Sequence, residues 1–289
     1  MDELRYEAPE TLDAAVALLA GADGDARILA GGTDVLVLLH CDMIEPDLLI
    51  DIKKIPELTG IAEEDGGFRV GAAVSAMELV EHDAFPKAWP GVVEGVKLIG
   101  SIQIKGRATM GGNVCNASPA ADSVPALIAA GAIGTIVGPD GRRDVPVEDI
   151  ATAPGQTSLG KGEILVSFLF PPRPPHSGDA YRRFTPRTEM DIAVVGVGIS
   201  LTLDDGGTCT AARVVLGAVA ARALLVADAA AVLIGTPLDE AALERLAAVA
   251  SAACRPIDDK RGTKEFRIKV AGVLARRVAQ DAYERARGN

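Results

Sequence analysis

The sequence predicts an α+β fold, and three observations carry that expectation. Stretches with apolar residues on a helical period alternate with short apolar runs of strand length. Two acidic glycine turns, "EEDGG" at 63–67 and "DDGG" at 204–207, each separate a pair of such runs and read as hairpins. A proline cluster, "PPRPP" at 171–175, divides a longer leading part from a shorter trailing part. With 289 residues, 48% of them hydrophobic and 24% charged, the chain can bury a large core and is not of disordered composition.

The first unit is expected over residues 1–57. "TLDAAVALLAGADG" has helical periodicity, with Thr11 placed to cap its start and Gly21 to stop it. "ARILAGG" reads as a buried strand running into a glycine turn, and "LLIDIKKI" as a second short strand. The run from Ile28 to His40 is apolar enough for a strand, yet Gly31-Gly32-Thr33-Asp34 interrupts it.

The second unit spans 58–175. "LTGIA" and "FRVGAAV" flank the first hairpin turn, and Ser75 with Glu78 forms a capping-box signal ahead of "AMELVEHD". "AWPGVVEGVKLIG" suits a packed helix, and Asp122 to Ala130 a buried one. "AIGTIVG" follows as a strand, "PDGRRD" as a turn and "EILVSFLFPPR" as a closing strand.

The third unit, 177–289, places strand-like runs around "DDGG" before two helices. Thr236 is the expected N-cap of the first of these, with Pro237 at its first position. The second is "RIKVAGVLARRVAQDAYERAR". An antiparallel sheet with helices on one face fits this order.

Charge and cysteine usage exclude several classes. A net charge of -11 argues against nucleic acid as a partner, because that binding depends on Lys and Arg neutralising phosphates. No apolar run has the length of a membrane span, and the acidic opening of the chain is unlike a secretory signal. The four cysteines, Cys41, Cys115, Cys209 and Cys254, make no CxxC pair, and the three histidines have no HExxH spacing. A reduced, cytoplasmic protein without its own metal site is the expectation.

Chemistry is concentrated in two glycine segments. Glycine lets backbone N–H groups approach anionic oxygens with no Cβ in the way, and neighbouring hydroxyl or amide groups add donors. One segment supplies Ala30, Gly31, Gly32, Thr33 and Asp34; the other supplies Thr109, Gly111, Gly112, Asn113, Asn116, Ser118 and Asp122. Together they could hold a diphosphate from two sides, with Asp34 turned away or holding its loop by hydrogen bonds. No GxGxxG follows a strand, so a Rossmann domain is not supported. "GQTSLGKG", 155–162, imitates a nucleotide-phosphate loop but has Gly162 where a Ser or Thr would hold magnesium. Arg173, Arg182, Arg183 and Arg187 form either a solvated basic patch or a contact for phosphate or an acidic partner.

These segments, in their order, resemble the FAD-binding medium subunit of the molybdenum hydroxylases, the xanthine dehydrogenase and carbon monoxide dehydrogenase family. The resemblance runs through "ILAGGTDVLVLLH", "LIDIKKIPEL", "VGAAVS", "IGSIQIKGRATMGGNVCNASPAADSVPAL", "YRRFTPRTEMDIAVVGVG" and "DDKRGTKEFRIKVAGVLARR". It implies a split, two-subdomain FAD-binding domain of the vanillyl-alcohol-oxidase (PCMH) type, followed by a small C-terminal α+β domain. It implies that Leu29, Ala30, Gly31, Gly32, Thr33 and Asp34, together with Thr109, Gly111, Gly112, Asn113 and Asn116, hold FAD around its pyrophosphate. Asp122 matches an adenosine- or ribose-contacting Asp, Leu165 an apolar contact, Arg182 a basic residue near the flavin, and Ser75 a Ser/Thr binding turn. Ile192 stands where some relatives carry an aromatic residue, and no cysteine-bearing insertion for a [4Fe-4S] cluster is present.

The activity implied is electron transfer through FAD, with no catalytic side chain required of this chain. A large partner would carry molybdenum–pterin and a small one two [2Fe-2S] clusters, assembled as a dimer of heterotrimers. A stand-alone flavin-dependent oxidase and a non-enzymatic nucleotide-binding protein are the alternatives.

Overall fold

A computed structural model describes residues 4–188 and 190–289; the first three residues of the acidic opening and Glu189 of the arginine-rich segment lie outside them. The first layer is a parallel sheet of β1 (Arg5–Glu7), β3 (Leu48–Asp51) and β2 (Ala26–Leu29), in the order β1-β3-β2. Helix α1 (Leu12–Ala20) packs on it, its start capped by Thr11, whose hydroxyl accepts from the N–H of Ala14. The apolar stretch after Gly31-Gly32 is helical: α2 covers Val35–His40. Three of its residues, Leu36, Val37 and His40, are exposed, which a short helix on a loop allows and a strand between β2 and β3 would not.

A short helical turn, α3 (Pro56–Thr59), replaces the first half of the expected "LTGIA" arm, because Pro56 is at its first position. The "EEDGG" hairpin then joins β4 (Ile61–Glu64) to β5 (Gly67–Gly71), with Asp65 and Gly66 both at positive φ as a two-residue turn of this hand requires. Helix α4 (Ala76–Glu81) begins at the full Ser75–Glu78 capping box. Helices α5 (Phe85–Ala88), α6 (Pro90–Lys97), α7 (Ile102–Lys105), α8 (Met110–Cys115) and α9 (Ser123–Ala129) lead to β6 (Ile133–Gly138).

"PDGRRD" proves to be a turn only at its start, since Gly141–Pro146 pairs with β6 as β7. After the small hairpin of β8 (Ala151–Ala153) and β9 (Gln156–Thr157), β10 (Ile164–Phe170) enters the middle of the sheet β4-β5-β10-β6-β7. Strand β10 serves two cores. Ile164 and Val166 pack with Ile50, Ile52 and Leu58 of the first layer, whereas Leu165, Phe168 and Phe170 join Phe85, Val92 and Leu127. The register shift between Leu165 and Ser167 permits that change of phase.

The trailing part is an antiparallel sheet of β11 (Ser177–Phe184), β12 (Val195–Leu203), β13 (Cys209–Gly217) and β14 (Leu224–Leu225). Helices α10 (Ala227–Ala231), α11 (Glu240–Ala253) and α12 (Lys264–Gly288) cover it. Thr236 does not cap α11. Its hydroxyl donates to Leu233 O, and Asp239 caps the helix instead, accepting from the N–H of Ala242 at 2.8 Å. Helix α9 lies against this second sheet closely enough that a Cβ on Gly198 would sit 2.7 Å from Pro125 O. Among the described residues no helix is long and apolar enough to cross a membrane, and no cluster of His, Cys, Asp and Glu could hold a metal.

Candidate cofactor site

The site begins where β2 ends. Strands β2 and β3 are parallel, so the chain leaves β2 at one edge of the buried layer and turns over it through Ala30–Asp34 into α2. Gly32 has φ +76°, a left-handed conformation that favours glycine. Gly31 answers a different demand: a Cβ there would lie 1.9 Å from the carbonyl oxygen of Arg107. The loop therefore rests backbone-to-backbone on the segment preceding α8. Among the described residues, none of the N–H groups from Gly31 to Val35 donates to a protein acceptor.

The second glycine pair is inside a helix. Thr109 caps α8, its hydroxyl accepting from the N–H of Gly112 at 2.9 Å. The N–H of Gly111 donates to Ala72 O at 3.1 Å, and a Cβ on Gly111 would meet that oxygen at 2.4 Å. Here the donors are already used within the protein. What remains for a ligand is the low surface of Gly112 and the amide of Asn113, whose Oδ1 accepts from the Ser123 hydroxyl at 2.7 Å. The Asn113 amide nitrogen has no protein acceptor among the described residues.

Between the two segments runs a groove of about 350 Å³, whose apolar walls include Leu38, Ile44, Leu159, Ile164 and Leu165. Asn116 lines it too and donates to Asp34 Oδ1 at 3.3 Å, an exposed bond from the second segment to the first loop. The Leu159 wall is fixed by Glu163, which takes Arg143 in a two-point pair and the N–H of Gly160 at 2.7 Å. The Arg143 guanidinium, aided by that N–H and opposed by partial burial, holds the Glu163 carboxyl down to about 2. A row of free N–H donors beside an apolar slot suits a diphosphate attached to a flat heterocycle, and the residues present thus fit FAD.

A family model for the FAD binding domain in molybdopterin dehydrogenase matches residues 2–173. The chain belongs to that family. A second model, the CO dehydrogenase flavoprotein C-terminal domain, matches residues 179–282. The carbon monoxide dehydrogenase medium chain of Afipia carboxidovorans is 34% identical over 98% of this chain and 97% of its own length. The xanthine dehydrogenase FAD-binding subunit of Escherichia coli O157:H7 is also 34% identical, over 99% of this chain and 98% of its own. The structure of carbon monoxide dehydrogenase from Hydrogenophaga pseudoflava superposes with a TM-score of 0.94 at 32% identity, covering 98% of both chains. The α+β fold expected of a flavoprotein subunit of this family is thereby established, and the chain is an FAD-binding oxidoreductase subunit.

The groove of this family member brings together Ala30, Gly31, Gly32, Thr33, Asp34, Thr109, Gly111, Gly112, Asn113, Asn116 and Leu165. Five other expected residues are not among its lining. Ser118 accepts from the N–H of Ala120 at 3.3 Å. Leu29 is the buried end of β2, and its carbonyl accepts from Ile52 N–H. Ser75 is occupied by its capping box. Arg182 pairs with Asp281 of α12 at the surface. Asp122 is buried, with one oxygen taking the Tyr181 hydroxyl at 2.8 Å and the other Arg183 at 2.6 Å. Burial pushes its carboxyl up to about 6 against the pull of Arg183 and Tyr181. In the arginine-rich stretch Arg173, Arg183 and Arg187 are paired with Asp179, Asp122 and Asp191.

Several contributors escaped the sequence. Arg27, Ile44, Leu159 and Ile164 line the groove, and Lys53 holds the carbonyl of Ala30 from outside it. Lys53 is two residues beyond Asp51, in the turn that follows β3, and reaches its carboxylate through both its N–H and its ammonium. That Ala30 would lie opposite depends on the parallel register Leu29↔Asp51.

Proposed function

We propose that this chain is the FAD-carrying electron-transfer subunit of a heterotrimeric molybdenum hydroxylase. It would accept reducing equivalents from the two [2Fe-2S] clusters of a small partner and release them to an external acceptor. A large molybdenum–pterin partner would oxidise the substrate, and two such heterotrimers would pair in the cytoplasm. The observation that carries the cofactor reading is the unspent run of N–H groups from Gly31 to Val35 at the head of an apolar groove. The partner reading is supported by the flavoprotein chains of carbon monoxide and xanthine dehydrogenases, which this chain matches almost end to end.

The residues here have binding and positioning roles. The loop Gly31–Val35 and the Asn113 amide would hold the diphosphate, and Leu38, Ile44, Leu159, Ile164 and Leu165 would exclude water around the rings. Bound FAD supplies the redox chemistry. Asp122 belongs to this reading as a support: it anchors Arg183 and Tyr181 beneath α9, one residue before the Ser123 that orients Asn113.

Visible absorption of the natively purified protein, with its subunit bands, tests the proposal. Flavin and iron–sulfur absorption with two co-purifying chains is the expected result; a colourless, solitary chain would overturn it.

A further inference from the structure

The carbonyl of Ala30 opens the loop that carries the free N–H groups, and Lys53 Nζ donates to it at 3.0 Å. The same ammonium donates to Asp51 Oδ1 at 2.8 Å, an oxygen that also accepts the N–H of Lys53 at 3.0 Å. The other oxygen of Asp51 takes the Tyr6 hydroxyl at 2.7 Å. Three strands thus contribute to one polar relay: Tyr6 from β1, Asp51 from β3 with Lys53 just beyond it, and Ala30 just beyond β2. Burial alone would raise the Asp51 carboxyl, but the donors from Lys53 and Tyr6 outweigh it and hold it below its ordinary value.

An ordinary surface ion pair contributes little and fixes little. This one differs in two respects. Asp51 is 8% exposed, and its rotamer is held from both oxygens. The lysine also reaches past its carboxylate partner to a main-chain carbonyl that has no other protein donor among the described residues. In a trans peptide the carbonyl and the following N–H point in opposite directions. Holding the Ala30 oxygen toward β3 therefore turns the N–H of Gly31 to the other side, away from Lys53. If that peptide were free to rotate, the first donor of the row would lose its direction, and the others would lose a fixed starting point.

We propose that Lys53 is a positioning residue for the dinucleotide diphosphate, with the Tyr6–Asp51–Lys53 relay orienting the Ala30–Gly31 peptide. The proposal rests on the FAD reading of the groove. Lys53 acts through the backbone of the loop and is not itself part of the groove lining.

The test is FAD titration of the protein in its native assembly after reversible removal of the flavin, followed by flavin fluorescence, with the melting temperature of the flavin-free form measured in parallel. Lys53→Met keeps the aliphatic stem and removes the ammonium. Its FAD dissociation constant is expected to rise about tenfold, the scale of one lost charge-assisted hydrogen bond. A merely structural ion pair would lower the melting temperature and leave the FAD constant unchanged; that result overturns the proposal. If Lys53→Met does not fold, Tyr6→Phe at the exposed edge carries the test, with an expected rise of about threefold at an unchanged melting temperature. An unchanged constant in that variant would equally overturn it. Failure of the unaltered protein to take up FAD would instead overturn the reading of the groove, so the two failures are distinguishable.

Discussion

Gly31-Gly32 and Gly111-Gly112 are the same dipeptide placed on facing sides of one groove, yet they are there for different reasons. The first pair is in a loop whose N–H groups have no protein acceptor among the described residues. The second starts a helix whose N–H groups already serve Ala72 and Thr109. Within each pair the demands differ again. Gly31 and Gly111 are glycine because another backbone passes where a Cβ would be, Arg107 at 1.9 Å and Ala72 at 2.4 Å. Gly32 has a positive φ, and Gly112 has no backbone against it: a Cβ there meets only the Thr109 hydroxyl, at 3.0 Å, beside the groove. A glycine-rich motif thus answers several demands at once, and a backbone passing close by accounts for Gly31 and Gly111 without any ligand.

The largest effects are expected at the two packing glycines. Gly111→Ala and Gly31→Ala each force a Cβ against a main-chain carbonyl oxygen, Ala72 O at 2.4 Å and Arg107 O at 1.9 Å, and each is expected to lower stability by about 3 kcal/mol. Urea denaturation of the flavin-free protein measures this; a loss below about 1 kcal/mol would mean that the backbones yield and that the close approach is not required. Next comes Gly112→Ala, where the nearest obstacle to a Cβ is the Thr109 hydroxyl at 3.0 Å. Stability should stay within about 1 kcal/mol, since Ala is the better helix residue. FAD affinity is expected to fall about tenfold, because the new methyl borders the cofactor's space. Unchanged affinity would remove the second pair from the cradle. The smallest effect is expected from Asp34→Ala, which deletes the exposed bond to Asn116; the stability change should lie within about 0.5 kcal/mol. A loss above 1 kcal/mol in the same urea assay would make that bond a clamp between the two segments.

Most of the elements were legible in the sequence because their signals are local. The Ser75–Glu78 capping box, the Thr11 cap and the "EEDGG" and "DDGG" hairpins depend on residues within a few positions of each other. Errors arose where local signals competed. Thr236 and Asp239 are both good caps, and the pull of Leu233 O on Thr236 decided between them. Val35–Leu39 is apolar enough for either element, and its sequence assigns it to neither. Past the Gly31-Gly32 turn it is helical, and among the described residues no strand pairs on the far side of β2.

The sequence alone singled out two glycine segments with Thr, Asn and Asp neighbours as a candidate diphosphate site, since that chemistry is written in residue types at short spacing. Only the tertiary structure decided how the work is divided. It placed Asp122 and Arg183 together in a buried pair, put Arg182 on the surface with Asp281, and brought Lys53 to the carbonyl of Ala30. Each of these pairings joins residues more than twenty positions apart. Strand register and helix packing set their distances, and no local pattern of residues encodes those.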